Sequence, residues 1–105
     1  MTPRAVAAMV FFAAAPHADA GTVADTEALA IVSKHCVMCH AAKPAHESFR
    51  EAPKGIILER VDDLRTHAAT IYAQTVQIRA MPLGNQTDMS ENDRATLGQW
   101  LKELP

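Results

Sequence analysis

The chain has only two cysteines, and they stand three residues apart with a histidine directly behind the second: Cys36-Val37-Met38-Cys39-His40. C-x-x-C-H is the attachment signature of a c-type haem. Thiols at i and i+3 reach the two vinyl groups of one macrocycle and form thioethers with them. The imidazole beside the second thiol then lies under the iron as its proximal ligand. No other feature constrains the fold so strongly, because the chain around this pentapeptide must enclose one large, flat, covalently held group.

Other uses of such a pair fit less well. A thioredoxin-like redox pair expects a βαβ setting, and the flanking sequence has no strand-like alternation. A structural zinc site, with His35, His40 or His46 as extra ligands, usually needs a second ligand pair at finger-like spacing, and there is no second Cys pair. A lone Cys36–Cys39 disulfide would close a very small loop and stabilise little.

The N-terminus agrees with haem attachment. Arg4 precedes an apolar run, Ala5 to Ala15, which stops at Pro16-His17. Ala18-Asp19-Ala20 is an A-x-A cleavage site. Residues 1–20 therefore read as a cleaved signal peptide and 21–105 as one mature domain. The run is too short for a permanent transmembrane helix; an uncleaved anchor is the alternative. Haem is joined to C-x-x-C-H outside the bacterial cytoplasm, so leader and motif both predict a periplasmic protein.

Composition fits a cofactor-centred core. The only aromatic residues after the leader are Phe49, Tyr72 and Trp100. A domain this small struggles to bury enough apolar surface unaided, and a buried haem would supply the missing volume. The formal net charge is -2 with no basic block, which gives nucleic-acid binding no support.

The mature chain reads as all-α, three or more helices around one haem. The first helix starts at Asp25 as N-cap and runs toward Cys36, with Ala28, Leu29, Ile31, Val32 and His35 on its apolar face. Pro44, Pro53 and Gly55 punctuate the following loop. A second helix spans Asp62 to Ile78, with Leu64, Ala68, Ile71, Thr75 and Ile78 as one stripe and Asp62 and Asp63 in its first turn. Met81-Pro82 follows in an extended loop. The last helix begins at Ser90, in a capping-box-like S-x-x-D with Asp93, and buries Leu97, Trp100, Leu101 and Leu104. Gly98 implies close approach of another helix, the first being the expected partner.

This order of elements resembles a class I cytochrome c over the whole mature chain. The resemblance implies a small fold whose first and last helices cross, with haem between a His and a Met. CVMCHAAKPAHESF, APKGIIL and QIRAMPLGNQTDMSENDRATLGQWL are similar to the cytochrome c domain of bacterial membrane-bound urate oxidases. There the domain follows a multi-helix membrane region and accepts electrons from urate oxidation; here it follows only a signal-like leader.

Among the methionines, Met81 is the expected sixth ligand. Met38 lies inside the motif and Met89 just before a helix cap, where packing is the ordinary role; a His or an open site are the other options. The proximal His needs an acceptor for its second ring nitrogen. The resemblance to class I implies that the proline loop supplies it, with Pro53 as the matching position and Pro44 the weaker choice. Arg79, Lys54 and Arg50 are candidates for the haem carboxylates, with solvated surface charge as their ordinary role. Trp100 is expected in the core beside the haem and the first helix. Together these readings describe a monomeric one-electron carrier with transient redox partners and no enzymatic activity. The alternatives are a dedicated redox subunit of a membrane urate-type or purine-type dehydrogenase, and a five-coordinate haem enzyme or sensor. If Cys36 and Cys39 are both consumed in thioethers, the mature protein should contain no free thiol. Its pigment should also survive acid-acetone extraction and denaturing electrophoresis. A haem that washes out would disprove covalent attachment.

Overall fold

The computed structural model describes residues 22–105, so the signal-peptide expectation for residues 1–20 and the mature start at Gly21 lie outside the described residues. The described domain is all-α: mostly helical, with no strand among the described residues. No described helix is long and apolar enough to cross a membrane.

Helix α1 spans Asp25–His35, with acidic Asp25 and Glu27 in its first turn and basic Lys34 and His35 in its last, both favourable to the helix dipole. Its N-cap is Ala24, not the expected Asp25. The Asp25 carboxylate is drawn away from capping by two side chains. It accepts from Trp100 Nε1 at 3.0 Å and from Arg65 Nη2 at 2.8 Å. The helix stops at Cys36, after which Cys39 N and His40 N both donate to Cys36 O, coiling the motif into a tight turn.

The expected single helix from Asp62 to Ile78 is three pieces. Helix α2 spans Val61–Thr66, the chain relaxes at His67, helix α3 spans Ala68–Ile71, and a π-helical segment follows over Tyr72–Gln77. Asp63 anchors the start, its carboxylate accepting from the backbone N–H of Glu59 and of Arg60. Leu64, Ile71 and Thr75 are buried as the stripe requires, but Ile78 is 64% exposed. The π geometry accounts for this. Ile78 N donates to Ala73 O, five residues back, and the extra residue in that turn rotates Ile78 off the stripe.

Helix α4 spans Glu91–Glu103, and Ser90 caps it by accepting from Asp93 N at 3.0 Å. Leu97, Trp100 and Leu101 are buried in one cluster with Ala28, Ile31 and Val32 of α1, Leu64, Ile71, Leu58 and Met89; Leu104 packs against it half-buried. Helix α4 packs on both α1 and the π segment. Gly98 makes its close approach to the second of these. A Cβ there would lie 3.2 Å from Val76 Cγ2, so the partner is the π segment and not α1. Helix propensity favours Gly98→Ala by about 1 kcal/mol, while overpacking opposes it by about 1–3 kcal/mol. Gly98→Ala should therefore lower the denaturation midpoint. Combined with Val76→Ala, it should be less damaging than the sum of the two single changes. Simple additivity would show that Val76 is not the obstacle.

Candidate functional site

The motif, the Pro53 turn, α3 with the π segment, and the Met81 loop together surround a cleft with two lobes. One, of about 300 Å³, is lined by Cys36, Met38, Cys39, His40 and Phe49 on the motif side and by Met81, Pro82 and Leu83 opposite, among others. The second, of about 160 Å³, reaches toward Lys54, Ile56, His67 and Gln74. Cys36, His40, Pro53 and Met81 line both lobes.

His40 is oriented by the backbone. Its Nδ1 lies 2.9 Å from Ile56 O. A carbonyl can only accept, so Nδ1 carries a proton, and in the neutral ring the lone pair is then on Nε2. The turn at Pro53–Gly55 brings Ile56 there, and Leu58 N closes the same loop by donating to His40 O at 2.8 Å. The partner of His40 is thus the Ile56 carbonyl and not Pro53 or Pro44. Pro53 was expected in the right turn but at the wrong residue, and it serves as cleft wall.

The two thiols are poor thiolates. Burial, with a smaller contribution from Cys39, pushes Cys36 up to about 12. Burial also raises Cys39. A nucleophilic disulfide-exchange pair needs the opposite shift. Among the described residues, no three His, Cys, Asp or Glu side chains converge as a metal site.

Met81 lies on the cleft wall, whereas Met89 is only 4% exposed and belongs to the core. Asn85 fixes Met89 by accepting from its N–H at 3.0 Å. The Met81 backbone is held from two elements: its N–H donates to Gln74 O at 3.1 Å, and its carbonyl accepts from Arg94 Nη1 at 3.0 Å. Gly84 gives the loop its left-handed turn, at φ 57. Across the first lobe, His46 Nε2 and Gln86 Oε1 meet at 3.1 Å, joining the loop after the motif to the Met81 loop.

Three expected cofactor contacts lie elsewhere. Arg79 lines neither lobe; its guanidinium grips Glu91 with two bonds, at 3.1 and 2.6 Å, on the surface. Arg50 also lines neither, so Lys54 is the expected cation that reaches the cleft wall. Trp100 is buried among α1 and α4, with its N–H on Asp25, and does not line the cleft. A buried indole N–H seeks an acceptor, and the nearest carboxylate is at the start of α1.

Sequence reasoning missed three contributors. The Ile56 carbonyl has no side-chain signature. Arg94 was detectable, because it stands three residues before Leu97 on the buried stripe of α4, where a charge must have buried partners. Thr87 accompanies His35, whose side chain is 0% exposed: Nδ1 lies 2.8 Å from Thr87 Oγ1 and Nε2 3.3 Å from Asp93 Oδ2. Compared with protein-family models, curated proteins and solved structures, the chain matches none. Thr87→Val would leave a buried ring nitrogen without its partner and should cost about 1–3 kcal/mol of stability, with Thr87→Ser largely spared. Equal denaturant midpoints for wild type and Thr87→Val would show that the hydroxyl contributes nothing.

Proposed function

We propose that this chain is a monohaem c-type cytochrome of the class I kind, a one-electron carrier in the periplasm and not an enzyme. The observation that carries this reading is the donor set of the cleft. Two thiols three residues apart, an imidazole with a free Nε2 lone pair and a thioether all line one apolar-walled space.

These residues fit a covalently attached haem. Cys36 and Cys39 would hold it through thioethers, and His40 and Met81 would be the side chains that donate to its iron. When bound, the group provides a reversible ferric–ferrous couple. Ile56 keeps the imidazole in one tautomer and one orientation. The Gln74 and Arg94 bonds do the same for the Met81 backbone. Apolar walls and a thioether donor both favour the lower charge, so the potential should exceed that of a bis-His site. Lys54, on the wall of the second lobe, would be the cation for a haem carboxylate.

Exposed Met38 and Leu83 flank the first lobe, at 43% and 49%. They offer a small apolar patch suited to brief docking of a redox partner by a monomeric carrier. The likeness to the urate oxidase domain makes a membrane enzyme of that type the electron donor to test first.

The visible spectrum of the purified protein in both oxidation states tests the reading, and a six-coordinate low-spin haem with a weak far-red sulfur-to-iron band is expected. Met81→His should lower the potential and abolish that band. Met81→Ala should give high-spin or adventitiously ligated iron that binds added small molecules, while Met89→Leu should leave band and potential nearly unchanged. A high-spin wild-type protein that binds carbon monoxide or cyanide quickly would favour a haem enzyme or sensor instead.

A further inference from the structure

We propose that Arg94 is a positioning residue that keeps Met81 at its post, resting on the reading of Met81 as the axial ligand. Arg94 is 7% exposed, on the first turns of α4. One nitrogen, Nη1, donates to Thr75 O at 2.6 Å and to Met81 O at 3.0 Å. The two carbonyls lie at either end of the stretch that carries the chain out of the π segment and into the cleft wall. A single guanidinium therefore ties the end of the π segment to Met81.

Among the described residues, the only other charged group near the guanidinium in ion-pair geometry is Glu91. The Arg94 Nε is buried without a hydrogen bond and faces Glu91 Oε1 at 3.9 Å. Glu91 in turn is gripped by Arg79, which stands between Thr75 and Met81 in the chain. A charge of this kind is costly to bury, and removing its partners is costlier still. Here it answers two backbone carbonyls, Thr75 O and Met81 O. Met81 side-chain placement then depends on Arg94 through the backbone, without any contact between Arg94 and the cleft. Arg94 acts on how firmly the sulfur is held, and an exogenous ligand that competes with the sulfur reads this out.

The test uses the ferric holoprotein with imidazole as the competing ligand. Arg94→Met should weaken the far-red band and tighten imidazole binding by about tenfold, the scale of one or two lost hydrogen bonds. Arg94→Lys, which keeps a buried cationic donor, should stay within about threefold of wild type. Leu97→Val, a core change on the same helix, should lower the melting temperature without tightening imidazole binding. Should Arg94→Met fail to accumulate, the wild type still decides. Exchange of the Arg94 guanidinium hydrogens should be slow in the free ferric protein and faster once imidazole has displaced the sulfur; exchange that imidazole leaves unchanged would refute the role. An Arg94→Met protein with wild-type band and affinity, or one that tightens imidazole binding no more than Leu97→Val, would also refute it. A wild-type protein lacking the far-red band overturns the assignment of Met81 itself, so the two failures are distinguishable.

Discussion

The seam between α1 and α4 is pinned at both ends, and the rest of the domain is placed from there. Trp100 Nε1, in the last turns of α4, donates to Asp25 at the start of α1. At the other end, His35 closes α1 against Asp93 in the first turn of α4. Between them lie Ala28, Val32 and Leu97, all at 0% exposure. The apolar seam supplies the driving force, and the two polar contacts fix how far one helix can slide along the other. Each is worth only about 0.5–1.5 kcal/mol, but both sit where a shift would leave a buried donor or ring nitrogen unpaired.

This seam also reaches the cleft. His35 immediately precedes Cys36, so the contact that ends α1 also orients the turn that presents Cys39 and His40. Asp93 and Arg94 are neighbours on one helical turn. The first faces the motif side through His35, and the second faces the Met81 side through two carbonyls. One turn of α4 therefore addresses both walls, which makes their separation a property of a rigid element and not of two independent loops.

Much of this was legible in the chain. The α1 face, the Ser90 cap and the buried Leu97, Trp100 and Leu101 follow from periodicity and capping chemistry, which act within a few residues. Met81 and Met89 could be ranked because one precedes a proline in a loop and the other precedes a cap. What escaped depends on backbone atoms or on distant partners. Ile56 contributes only its carbonyl, which any residue would offer. Gly98 signals a near neighbour without saying which, and that neighbour is Val76. Arg79 looked like a carboxylate partner for a cofactor but finds a closer one in Glu91. The π turn leaves almost no mark on the sequence, because its residues would also suit an α-helix.

That turn sets chain length as much as direction. Within an α-helix each residue turns the path by about 100° and advances it about 1.5 Å. The π segment over Tyr72–Gln77 absorbs one residue more than an α-turn would, and does so immediately before the stretch that delivers Met81. Deleting a single residue there would let the helix heal into regular α form with little damage to the core. Because the bulge takes up the extra residue locally, the chain beyond it would keep its path and the sulfur would still reach the cleft wall. The identity of the methionine is therefore the strict requirement, and the π turn makes the count of residues before it tolerant by one.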